Sequence, residues 1–210
     1  MPQPRDNNLR QFLLFAFALI IPCFALWTIA SGPLAMPAVG LANMMLQAWF
    51  PDVVDGLYFQ GGDAALLTRF GELNNAPVPP DQSEYQLGFR ISPAILSYSI
   101  PFYATLHFAT QKKAYLGSFI SGVVVLYVVI LVGLVSLCLK ELMVNLGTLF
   151  LDQEGVLVPH PTFIALFYQL NVLIMPTVAP IVLWAWQSRD TDLLRGILNL
   201  EPVLEEPETP

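Results

Sequence analysis

The sequence predicts an α-helical membrane protein: a bundle of about four transmembrane helices carrying a small extracytoplasmic antiparallel β element. Three observations lead there. Ala114–Leu139 is a run of 26 residues without a charge, bounded by Lys112-Lys113 and Lys140-Glu141. At about 1.5 Å per residue such a helix is about 39 Å long, enough to cross a hydrocarbon core of roughly 30 Å with some tilt. Charged residues are 12% of the chain and mean hydropathy is +0.60, against a usual charged share of about 25%. Finally, six acids gather in one segment, 52–91, whose short aromatic and branched runs read as strands.

Taken in order, the elements divide the chain at 50, 91 and 187. Residues 1–50 begin with a polar, basic start and continue as an uncharged run from Gln11 to Pro51. A signal peptide is the competing reading, with LAMPA as a small-residue cleavage region, but the apolar core Phe12–Ile29 is longer than the usual apolar region of such a peptide. An uncleaved first helix is therefore expected. Ser31-Gly32-Pro33 should break it, and Gly40, Asn43 and Gln47 then form one polar stripe. That pattern predicts an interfacial or re-entrant helix over Gly32–Phe50, anchored by Trp49, with a full second span as the alternative.

Residues 51–91 are expected to form the β element. VVDGLYF, AALLTRF and EYQLGFRI are the strand candidates, Gln60-Gly61-Gly62-Asp63 reads as a hairpin turn, and NNAPVPPDQS as a loop. Three or so strands make too small a core to stand alone, so the sheet should rest on the helices. Residues 92–187 hold three further spans: Ser92–Thr110 with a kink at Pro101, Ala114–Leu139, and Phe163–Trp186 with Pro176 and Pro180. Residues 188–210 form a tail that ends EPVLEEPETP, acidic, proline-rich and expected to be disordered.

Basic residues set the orientation. With four spans and the N-terminus inside, the inner segments hold Arg5, Arg10, Lys112, Lys113, Arg189 and Arg195, and the outer ones Arg69, Arg90 and Lys140. A fifth span would even out that bias, so the positive-inside rule favours four, with both termini cytoplasmic.

The composition also narrows the function. A net charge of −7 argues against nucleic acid, which needs clustered Lys and Arg. No spacing of Cys and His suggests a metal site, and no motif suggests a cofactor. Buried Asp, Glu, Lys and Arg are missing from the predicted spans, which argues against an ion or proton pathway. Cys138, His160 and Arg90 all fall on the outer side, where a thiolate–imidazole pair with a nearby guanidinium is the one catalytic grouping available. One Cys and one His without a local motif make a weak signal, and Cys138 as apolar filler is the simpler reading. A second set is Ser97, Tyr98, Ser99, Ser136, Tyr168, Gln169 and Asn171, polar side chains in the outer halves of their spans. They serve either as interhelical glue or as the lining of a groove that receives a partner helix or extended peptide.

The order of segments resembles a known family. A short basic start, FLLFAFALIIPCFALW, AWFP, a β-rich stretch, LGFRISPAILSYSIPFYATL and the closing FIALFYQLNVLIMPTVAPIVLWAW follow one another as in the exosortase H-associated membrane proteins. The resemblance implies a bacterial inner-membrane protein accompanying a sorting transpeptidase, or that enzyme's tailed substrate. Exosortases themselves place a Cys, an Arg and a His in that order. Here Arg90 precedes Cys138 and no Arg lies between Cys138 and His160, so the companion is favoured over the enzyme. A membrane cysteine transpeptidase or protease using Cys138 and His160 is the alternative, and a small permease subunit a distant one.

Overall fold

The computed structural model describes residues 4–74, 76–83, 85–111, 115–191 and 194, with side chains from residue 9 onward. Lys112, Lys113, Arg195 and the acidic tail lie outside the described residues. Among those described, three helices are long and apolar enough to cross a membrane: Leu9–Trp49, Tyr115–Leu146 and Pro161–Ser188.

The first departure from expectation is α1 (Pro4–Trp49), one helix of 46 residues that runs through Pro22, Pro33 and Pro37. The expected break at Ser31-Gly32-Pro33 does not occur. A proline removes one backbone bond and bends a helix, but packed neighbours can hold the chain through it. Here Ala35, Ala38, Val39, Ala42 and Leu46 are buried on one face, and Tyr127 donates to the Leu34 carbonyl (2.6 Å) beside the two prolines. At about 69 Å this helix is more than twice the thickness of a hydrocarbon core, so its C-terminal part projects from any bilayer its first part crosses.

That projecting part carries the sheet. Strands β1 (Val54–Gln60), β2 (Asp63–Leu73), β3 (Ala76–Val78) and β4 (Gln86–Ile91) are all antiparallel, with β2 pairing each of the others. The β1–β2 turn is Gly61-Gly62, both at positive φ (61° and 101°), which is what a two-residue hairpin on twisted strands requires. The small strand β3 falls in the predicted loop: Asn74, at φ 54°, turns the chain so that Ala76–Val78 pairs with Gly71–Leu73. Ala64, Leu66, Thr68 and Phe70 of β2 face inward and are buried.

The Ser92–Thr110 segment is two helices, α2 (Ala94–Ser97) and α3 (Ser99–Ala109). The expected kink lies at Tyr98 instead of Pro101, because the proline ring displaces the carbonyl four residues earlier. Most of α3 is buried, and it packs against α1, α4 and α7. The central helix α4 (Tyr115–Leu146) runs past the expected end at Leu139. Lys140 pairs with Glu141, Asn145 bonds back to Glu141, Leu142 and Leu146 continue the buried stripe, and Gly147 at φ 56° ends it. Much of the connection expected after Lys140 is thus helical, including α5 (Thr148–Leu151). The last long helix comprises α6 (Pro161–Tyr168), a π-helical turn (Gln169–Ile174) and α7 (Met175–Ser188). The π-turn precedes Pro176, whose missing N–H lets the ladder widen there.

Two cores follow. One gathers Leu46, Phe50, Leu66, Ile91, Leu96, Leu134, Leu139, Leu142 and Phe150 at the sheet end. The other joins Phe12, Tyr103, Ala109, Leu126, Leu183, Trp184 and Leu194 at the opposite end, with Phe12 stacked on Trp184 (5.3 Å). The start of α1, the end of α3 and the end of α7 therefore meet at one end. Arg10 and Arg189 flank that cluster in the chain; both are exposed, and Arg189 faces Asp190 at 3.7 Å. Of each helix's most apolar stretch, 56% is buried inside the protein in α4 and 0% in α1, so α4 is the central strut and α1 the peripheral one.

Candidate functional site

The polar residues expected to line a groove separate by depth. Ser97, Ser99 and Ser136 are fully buried and Asn171 nearly so. Three of the four bond within their own chain segment: Ser99 Oγ donates to the Leu96 carbonyl (2.9 Å), Ser136 Oγ to Gly133 (2.8 Å) and Asn171 Nδ2 to Phe167 (2.9 Å). Ser97 accepts from Trp27 Nε1 of α1 at 3.1 Å. Tyr98, Tyr168 and Gln169 remain partly or fully exposed. Tyr98 Oη lies 2.9 Å from Thr177 Oγ1, and the Lys140 ammonium sits 5.6 Å over the Tyr168 ring. Gly133 brings these elements together: a Cβ there would come within 2.8 Å of Leu96 and 3.2 Å of the Asn171 carbonyl oxygen.

Cys138, His160 and Arg90 have separate surroundings. The Cys138 side chain is fully buried among Leu and Phe residues of the sheet-end core. His160 is exposed and caps α6, its Nδ1 accepting from the Thr162 amide (3.3 Å). Arg90 lies on β4 and grips Asp63 across the sheet, Nε donating to Oδ2 at 2.6 Å. The Arg90 bond first, and one from Ser92 second, hold the Asp63 carboxyl below the usual carboxylate range. A buried, apolar thiol, a capping imidazole and a paired guanidinium do not assemble a nucleophile and base.

At the opposite end the structure places a polar cluster that the sequence did not single out. Tyr103, wholly buried in α3, points its Oη at Gln187 Oε1 (2.5 Å), the Ser118 carbonyl oxygen (3.1 Å) and His107 Nδ1 (3.3 Å). Gln187 Nε2 donates to the Ser118 carbonyl (3.1 Å), and Trp184 Nε1 to Thr110 Oγ1 (2.7 Å). His107 Nε2 lies 2.9 Å from the Tyr115 carbonyl oxygen, an acceptor only, so that nitrogen carries a proton. The cluster ties α3, α4 and α7 together. Its signals were Tyr103/His107 and Ser118/Gly122, two pairs at helical spacing four that only tertiary contact matches.

The comparisons with known proteins bear on all of this. The sequence model of the exosortase H-associated membrane proteins matches residues 6–191. The chain belongs to that family. No curated protein and no solved structure matches it. For an exosortase H-associated membrane protein, the match spans every element of the fold from the first turns of α1 to the end of α7. The family's description names an association and no activity. The membrane-type helices and the small antiparallel sheet agree with the helical membrane class expected from the sequence, with three membrane-length helices among the described residues against the expected four or so spans.

Proposed function

We propose that this exosortase H-associated protein is an accessory component of a membrane protein-sorting system, which binds or positions the sorting transpeptidase or its tailed substrate. The observation that carries the reading is the state of the reactive groups in a family named for association: Cys138 is fully buried, while Arg90 is engaged by Asp63. The sheet end then offers surfaces, not reacting atoms. In this reading the protein crosses a bacterial inner membrane four times with both termini cytoplasmic. The second crossing is α2–α3, about 24 Å long, shorter than a free-standing span and enclosed by α1, α4 and α7. The sheet lies outside, and Tyr98, Tyr168 and Gln169 form the accessible part of the polar surface beside it.

Purification from native membranes in mild detergent tests the proposal. An exosortase-type transpeptidase or a protein with a C-terminal membrane tail should accompany the tagged chain. Recovery of the chain without either would overturn it. The enzyme alternative is tested by Cys138→Ala, which should leave sorting in the cell intact.

A further inference from the structure

The two edges of the sheet are treated differently, and the difference points to a docking mode. Gln47 Nε2 donates to the Asp55 carbonyl at 2.5 Å, and Asn43 Oδ1 accepts from the Leu57 amide at 2.7 Å. These are the backbone groups that β1 turns away from β2. Side chains of α1 thus close that edge, one of the ways proteins prevent strands from recruiting other chains. The far edge is β4. Thr68 Oγ1 of β2 donates to the Leu87 carbonyl (2.9 Å), so Leu87 faces β2. Strand alternation then turns the amides and carbonyls of Gly88 and Arg90 outward. Both residues are exposed, and among the described residues their outward groups meet no side chain or loop. The usual guard of an open edge is a charge projecting over it. Arg90 is instead folded back onto its own sheet by Asp63.

Resting on the reading that a partner docks at the sheet end, we infer that β4 receives an extended, acidic segment of that partner as a further antiparallel or parallel strand. The unmet donors and acceptors of Gly88 and Arg90 select an extended backbone, because only a strand matches their spacing. Charge selects its side chains. Beside β4 the outward face has a depression lined by Arg69, Phe70, Gly71, Ser83, Tyr85 and Gln86. Arg69 is exposed and has no ion-pair partner among the described residues. A carboxylate on the incoming strand would find its counter-charge there.

The test uses the full-length chain in native membranes, with a benzophenone photoprobe replacing Gln86. The expected adduct maps to an extramembrane, acid-containing segment of a second protein. It should fall about tenfold with Arg90→Pro, which removes one outward donor, and persist with Arg90→Ala, which keeps the amide. Proline is tolerated at an outward edge position, and an unchanged proteolysis pattern confirms that the variant is folded. Arg69→Glu should weaken the adduct as well. Adducts only between two copies of this chain, or equal yields from Arg90→Pro and Arg90→Ala, overturn the inference. If the photoprobe gives no adduct while an exosortase-type partner still co-purifies, strand addition is wrong and the accessory role stands. Loss of both overturns both.

Discussion

At the scale of single residues, Tyr103 and Asp63 report most directly on the fold. A Cβ at Gly122 would lie 2.1 Å from Tyr103 Oη and 2.3 Å from its ring carbon. Gly122→Val should therefore lose at least about 1–3 kcal/mol of stability, the usual cost of overpacking a buried ring. Thermal unfolding in detergent reads the loss, and Tyr103→Phe, which gives up only the hydroxyl bonds, should cost less. Asp63 makes a prediction about pH. Its folded-state pKa is lowered from 3.8 by Arg90, so its contribution is fully present above 3.8 and disappears as pH falls through the lower folded value. Carboxyl NMR titration should find Asp63 below 3.8, and Arg90→Ala should return it toward 3.8. Neither contact is legible in the sequence: Tyr103 and Gln187 stand 84 positions apart, and Asp63 and Arg90 stand 27 apart.

Among the elements, the sheet was largely legible and its attachment was not. Alternation in AALLTRF marked β2 as a strand, and the Gly-Gly turn marked the hairpin, because both depend on local backbone geometry. The stripe Gly40/Asn43/Gln47 was also visible, but it suggested a helix lying in an interface. Asn43 and Gln47 of that stripe instead cap β1. Asn43→Ala should leave the Leu57 amide unmet and Gln47→Ala the Asp55 carbonyl, each costing about 1 kcal/mol. Hydrogen exchange should show faster exchange at Leu57 in Asn43→Ala while β2–β4 amides keep their protection. The prolines of α1 misled for a related reason. Proline propensity is local, whereas the burial of Ala35, Ala38, Ala42 and Leu46 that holds the helix straight through is tertiary.

For the molecule as a whole, the meeting of the start of α1 with the end of α7 puts both on one side, and the positive-inside rule predicts that this side is the cytoplasm. In a background of Cys23→Ser and Cys138→Ala, Leu157→Cys should react with a membrane-impermeant maleimide in intact spheroplasts. Arg189→Cys should react only after permeabilisation. Leu157 is 82% exposed and its carbonyl accepts from Trp49 Nε1 at the sheet end, while Arg189 lies just after α7 at the other end. The reverse labelling pattern would put the sheet in the cytoplasm.

The sequence by itself determined that the chain carries membrane-type helices, where three of the four strands lie and which family it resembles. The first two rest on composition or short-range periodicity, which a linear chain displays openly, and the resemblance rests on the order of its segments. Only the tertiary structure decided that α1 runs unbroken, that Cys138 is sealed in a core, that Tyr103 and Gln187 meet, and that β1 is closed while β4 is left open. Those outcomes depend on which surfaces pack together, and packing joins residues too far apart in the chain for any local pattern to announce.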